Sequence, residues 1–164
     1  MTQLSQNFVL DEFEKNEPVP AQCIPTFAEL AKTILEPVRA YVDSPLIITS
    51  GYRSPEANVE AHGQPNSEHV ATENYCAADF YSSLIPARTI FDFMRENSML
   101  PFHQLILEHG ANGSSIVHVS YNRLKPGVRS VLEGATHNSE PYIKCDYVPY
   151  LFPPVSSDDT LEEA

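Results

Sequence analysis

A chain of 164 residues has room for one compact domain and not for two. With 42% hydrophobic and 20% charged residues its composition is globular, which sets aside disordered and fibrous classes. Ten Lys and Arg against 22 Asp and Glu give a formal charge of -12. That balance excludes the broad basic face a nucleic-acid binder needs and gives no long-range attraction to an anionic membrane.

The N-terminal stretch Met1 to Phe8 lacks a basic region followed by an apolar core, and no apolar run is long enough to span a membrane. Synthesis in the cytoplasm without a signal peptide is the expectation. Cys23, Cys76 and Cys145 are an odd number without CxxC spacing. They indicate neither a disulfide framework nor a cysteine zinc knuckle, and leave room for one disulfide.

Residues 1 to 24 read as an extended arm with a short helical turn at Asp11-Glu12-Phe13, before Pro18 and Pro20. From Thr26 the apolar positions Phe27, Leu30, Ile34, Leu35, Val38 and Val42 recur at three and four, which predicts a helix bent at Pro37. Leu46-Ile47-Ile48-Thr49 predicts a buried strand. Ser54-Pro55 is an N-cap followed by proline, opening a short helix that ends at Gly63 and leaving Arg53 in the loop between strand and helix.

Gln64-Pro65-Asn66 is turn material ahead of His69, and Ala77 to Tyr81 predicts a strand carrying Asp79. A helix follows from about Pro86 to Asn97, burying Ile90, Phe91, Phe93 and Met94. Gln104 to Glu108 and Ser115 to Ser120 predict an antiparallel pair around a loop of hairpin residues. In the second strand Ile116, His118 and Ser120 share one face by period two, and Val117 and Val119 the other. Beyond Asn122 the chain reads as irregular through Pro154, apart from a possible strand at Tyr142 to Tyr147, and residues 155–164 read as an acidic disordered tail.

The chemistry gathers at Ser67-Glu68-His69, at Asp79 and at Ile116-Val117-His118-Val119-Ser120. Two imidazoles and a carboxylate suit a hydrolytic zinc site, three protein ligands with the fourth tetrahedral position open. His103 and His109 fit no ligand spacing, although His109 adjoins Glu108, and Cys76 reads as a small buried hydrophobe.

Ser67-x-His69, Ala77-x-Asp79 and Val117-His118-Val119-Ser120-Tyr121, in that order, resemble the zinc D-alanyl-D-alanine carboxypeptidase family of peptidoglycan peptidases, which shares a fold with the hedgehog signalling domain. Leu35-Glu36-Pro37-Val38-Arg39 and Ile48-Thr49-Ser50-Gly51-Tyr52-Arg53-Ser54 are similar to upstream family segments, so the likeness runs from about Phe8 to Tyr121.

The resemblance implies an α+β fold with a small, mainly antiparallel sheet flanked by helices and one zinc, within a single domain over 1–154. It implies zinc bound by His69, Asp79 and His118, with Glu108 as the proton-transferring acid and Arg53 holding a substrate carboxylate or the developing oxyanion. The substrate class it implies is a peptidoglycan stem peptide, cut as carboxypeptidase or endopeptidase, and the absence of a signal peptide suits a phage lysin or virion-associated hydrolase. No nucleic-acid or membrane partner is expected; the oligomeric state is left open.

Two positions depart from the family pattern. Asp79 follows His69 by ten residues where the family has seven, with Tyr75 in the place of a glycine, which brings Glu73 and Cys76 forward as competing ligands. Ile116 stands where the family often has Trp. The reading from a different class is a non-catalytic, metal-stabilised binding or virion structural module in which the longer loop spoils the site.

Overall fold

The run of apolar residues from Thr26 folds as one helical rod in three pieces: α1 (Ile24–Leu30), a π-helical turn (Ala31–Leu35) and α2 (Glu36–Val42). The wide turn has a local cause. Pro37 has no amide proton and its ring crowds the carbonyl four residues back, so the rod widens ahead of it rather than breaking. Phe27, Leu30, Ile34, Leu35 and Val38 are fully buried along one side. The structure, a computed structural model, describes residues 1–15, 17–136 and 140–151; the acidic stretch 155–164 lies outside them.

Six strands form a single sheet: β1 (Ile47–Ser50), β2 (Tyr75–Tyr81), β3 (Gln104–His109), β4 (Ser115–Asn122), β5 (Ser130–Ala135) and β6 (Ile143–Lys144), in the order β1-β2-β4-β3-β5-β6. All neighbours are antiparallel except β3 and β5, which run parallel. The hairpin β3–β4 is as the turn residues predict. β5 is a correction, because that stretch reads as irregular, and the strand expected over Tyr142 to Tyr147 shrinks to Ile143–Lys144.

Alternation divides the sheet into two faces. Cys76, Ala78, Phe80, Leu105, Leu107, Val117, Val119 and Val131 point into the core, where α1 and α4 (Ala87–Glu96) pack. The opposite face carries Asp79, Ile106, Glu108, His118 and Leu132 and floors a cleft of about 1190 Å³. Helices thus cover one face and leave the other for chemistry.

The N-terminal arm is core, not an appendage. Phe8 and Phe13 are buried, with the Phe13 ring 5.3 Å from that of Phe27. Glu36 holds the arm in place by accepting hydrogen bonds from Ser5 Oγ and from the amide and side chain of Asn7. In α3 (Pro55–Glu60) the Ser54 cap is as expected, its Oγ accepting from the Ala57 amide.

At the other end, residues 146–151 fold back over the start of β5. The buried Arg129 guanidinium donates to the carbonyls of Val148, Asn97 and Leu100 and stacks on Phe102, 4.2 Å from guanidinium carbon to ring centroid. Burial lowers its pKa to about 10, so it stays charged at neutral pH. Val148 and Leu151 amides donate to Arg95 and Ser98 carbonyls, completing a strap. Truncation in R129A leaves three inward carbonyls without their donor, and its unfolding free energy in urea is expected to fall by about 2–4 kcal/mol.

Candidate metal centre

His69 lies in the loop before β2, held from three sides. Its carbonyl accepts from the Arg53 amide, its own amide donates to Ser67 Oγ, and the turn is closed by Val70 N–H donating to the Ser67 carbonyl. The ring is positioned by Gly51: His69 Nδ1–H donates to the Gly51 carbonyl at 2.7 Å. That bond fixes the tautomer and leaves Nε2 with a bare lone pair.

Gly51 is a glycine for a steric reason. A Cβ there would lie 2.6 Å from the Cα and carbonyl oxygen of Phe13, against which this turn packs while Tyr52 N–H donates to the Phe13 carbonyl. The N-terminal arm thus sets the carbonyl that orients His69.

Asp79 and His118 come from directly opposed positions of β2 and β4, so both side chains share the cleft face. His69 Nε2 lies 3.2 Å from Asp79 Oδ1 and 3.2 Å from His118 Nδ1, and the last two atoms are 2.9 Å apart. All three residues are buried. A tetrahedral ion with bonds of about 2.0–2.1 Å separates its ligand atoms by roughly 3.3 Å, so the triangle has nearly the edge lengths of one face of such a site.

Donor chemistry fits as well as distance. His69 turns a lone pair toward the carboxylate and the second imidazole, and the three groups can share one cation there without a rearrangement of strands. The three residues are the cluster of metal-capable side chains among the described residues.

Without a metal, protons take the role. Burial opposes the charged forms, but the charge of His69 and the hydrogen bonds of His118 and His69 hold the Asp79 carboxyl far below the usual carboxylate range. Burial likewise works against the His118 cation, yet its bond to Asp79 and that charge raise its pKa. Metal and proton therefore compete for the same lone pairs.

The longer loop does not spoil this geometry. Its additional length is taken up by a tight turn, with Thr72 N–H donating to the Tyr75 carbonyl and the Asn74 amide to Thr72 Oγ1. Thr26 Oγ1 on α1 donates to the Glu73 carbonyl at 2.9 Å and pins the turn to the helix. β2 consequently begins at Tyr75, two residues before its expected start, and returns Asp79 to the cleft. Glu73 is exposed and Cys76 sits on the core face, three positions from Asp79, so neither is in the cluster. All three cysteines are free thiols.

Glu108 and Arg53 both line the cleft that holds the triangle. Glu108 on β3 pairs with Ile116 of β4, two residues before His118, and burial with the Asp79 charge raises its carboxyl pKa. Arg53 Nη2 is 3.4 Å from Asp79 Oδ2, and its Nε donates to Ser50 Oγ. His109 is turned to the other face, bonded to Ser115 and Glu133, and does not assist Glu108.

The sequence reading misses Glu68. Its carboxylate accepts from His103 Nδ1 and Ser120 Oγ on one oxygen and from Asn122 Nδ2 on the other, tying the His69 loop to β4. A signal was present: Ser120 and Asn122 follow His118 at period two and so stand on the same face.

Residues 6–120 match the peptidase M15 family, a span that contains the His69, Asp79 and His118 triangle together with Glu108 and Arg53. The chain belongs to the peptidase M15 family. M15 peptidases are zinc-dependent metallopeptidases of the D-alanyl-D-alanine carboxypeptidase type. No curated protein matches the chain. The M15 match ends within β4, and β5, β6 and the strap lie outside the matched residues. No helix among the described residues of this M15 chain is long and apolar enough to cross a membrane.

Two outcomes follow from this geometry. H69A is expected to lose bound divalent metal while the wild type binds one ion per chain, as read by metal analysis after gel filtration; full retention would place the site elsewhere. For Glu68, burial opposes the carboxylate, but the His103, Ser120 and Asn122 interactions outweigh it and hold the pKa below its ordinary 4.5. A depressed folded-state pKa stabilises above the unfolded value and is lost as pH falls through the folded one. E68Q should therefore cost about 1–3 kcal/mol at pH 7, and the gap from wild type in urea unfolding should narrow as pH drops below about 4.5.

Proposed function

We propose that this chain hydrolyses a peptide bond in peptidoglycan stem peptides, with zinc held by His69 Nε2, Asp79 Oδ1 and His118 Nδ1 on a hedgehog-like scaffold. The observation that carries the proposal is the buried triangle of ligand atoms, 2.9–3.2 Å on its edges, flanked within one cleft by Glu108 and Arg53. Zinc supplies Lewis acidity there, polarising a carbonyl and making water nucleophilic near neutral pH.

The chain's own groups do the rest. Glu108, half-buried in the cleft and raised in pKa by that burial, takes the proton of the attacking water and passes it to the departing amine. Arg53 stands on the other side of the ligand triangle, braced by Ser50, and its guanidinium faces the oxyanion as charge develops. It also supplies a local cation to a protein whose net charge is -12. His69 is kept in its metal-facing tautomer by Gly51, and Asp79 is shared between the ligand set and Arg53.

Action on the cell wall, as a phage lysin or virion-associated hydrolase, is part of the same proposal and rests on the family's substrate class. The test is release of peptide from purified peptidoglycan by zinc-loaded wild type and E108Q. E108Q is expected to keep its zinc and lose activity by about 10²–10⁴-fold, the usual contribution of a positioned general base. Equal release by both, or none by the zinc-loaded wild type, would contradict the peptidase reading.

A further inference from the structure

The side of the cleft beyond Glu108 is lined by Leu132 of β5 and by Thr136 and residues 140–142, all outside residues 6–120. Its central feature is Tyr142. The parallel register sets Gly134 of β5 beside Glu108, so a side chain at 134 would stand next to that carboxylate on the cleft face. None is there, and the Tyr142 ring fills the place: a Cβ on Gly134 would lie 2.0 Å from Tyr142 Cδ1. The glycine and the tyrosine are two halves of one packing decision.

The ring is held, not loose. Cys145 N–H donates to the Val131 carbonyl and β6 pairs with β5, and the Arg129 strap fixes the chain just beyond. Burial first, then the Glu108 and Asp79 charges, raise the phenol's pKa, so it remains a hydrogen-bond donor at neutral pH. Among the described residues no group is hydrogen-bonded to its hydroxyl.

Across the cleft floor the order is Arg53, the ligand triangle, Glu108 and then Tyr142, following the strand order β1-β2-β4-β3-β5. Glu108 delivers its proton to the departing amine, so the leaving residue lies on the Tyr142 side. Around it stand Leu132, Thr136, Glu140 and Pro141. Of the basic residues that line the cleft, Arg53 lies in the loop after β1 and Lys125 in the connection before β5, whereas the residue facing Gly134 and Tyr142 across the β3–β5 pairing is the acid Glu108. A free carboxylate on the leaving residue would stand against the Glu108 carboxylate; a neutral amide carbonyl needs only one donor, which the Tyr142 hydroxyl offers.

We infer that Tyr142 is a specificity-determining residue whose hydroxyl donates to the carbonyl of the leaving residue, and that this subsite takes a residue whose carboxyl is amide-linked, making the chain an endopeptidase. The inference rests on the peptidase reading above and chooses between its two forms. The Y142F variant removes the hydroxyl and keeps the ring over Gly134. G134A acts from the other side by displacing the ring.

The test compares two stem-peptide analogues ending in D-Ala-D-Ala, one with a free C-terminal carboxylate and one with that carboxyl amide-linked to a further residue. Zinc-loaded wild type is expected to cleave the amide-linked peptide at least about tenfold better in kcat/KM. Y142F should lose about tenfold on that peptide, with G134A changing in the same direction, while zinc content and Tm of Y142F stay at wild-type values. Calorimetric affinity for a phosphinate analogue of the amide-linked peptide should fall by a similar factor in Y142F. Wild-type preference for the free carboxylate, or unchanged kcat/KM and affinity in Y142F, would overturn the inference and leave the peptidase reading standing. Hydrolysis of neither peptide, together with no binding of the phosphinate, would overturn the peptidase reading itself and this inference with it.

Discussion

Three lone-pair donors crowded to within about 3.2 Å of one another and out of water are favourable only when a cation or a proton sits among them. Much of the fold serves to hold that crowding in place. β2 and β4 oppose Asp79 and His118 directly, so strand pairing alone fixes two of the three vertices. The third, His69, comes from a loop, and a loop residue needs anchoring that a strand does not. Gly51 provides it through Nδ1, Ser67 through the amide, and Glu68 through its three bonds to His103, Ser120 and Asn122.

These supports explain features otherwise unconnected with catalysis. The N-terminal arm places the Phe13 backbone against Gly51, which forces a glycine there and aims its carbonyl. Thr26 on α1 holds the turn that absorbs the longer spacing between His69 and Asp79. The helical layer thereby acts on the site from the far face of the sheet. Burial of the ligand atoms strengthens each electrostatic contact in the site, and the same burial raises Glu108 toward the range useful for moving a proton near neutral pH.

The strands that carry the candidate site were legible in the sequence from their alternation, and the family resemblance is what picked His118, Asp79 and Glu108 out of them; the structure brings these three to one cleft. The rod from Thr26 was legible for the same reason, at the helical period. What escaped had weak local signals. Ser130-Val-Leu-Glu-Gly-Ala carries one core residue and a glycine, and becomes a strand only through parallel pairing with β3, a long-range contact. Glu68 stands beside His69 in the sequence, but its partners Ser120 and Asn122 lie more than fifty residues away and meet it only when the loop folds onto β4. The π-helical turn is visible only as a proline in an otherwise regular pattern. The ten-residue spacing to Asp79 drew attention to Glu73 and Cys76, and alternation along β2 settles the second of these by turning Cys76 to the core.

His69, Asp79 and His118 are proposed to hold one metal ion together. X-ray absorption at the zinc edge of the zinc-loaded chain tests this most directly. The geometry predicts two imidazoles in a nitrogen and oxygen shell at about 2.0–2.1 Å with no sulfur. A sulfur scatterer at about 2.3 Å, or a shell with fewer than two imidazoles, would contradict it.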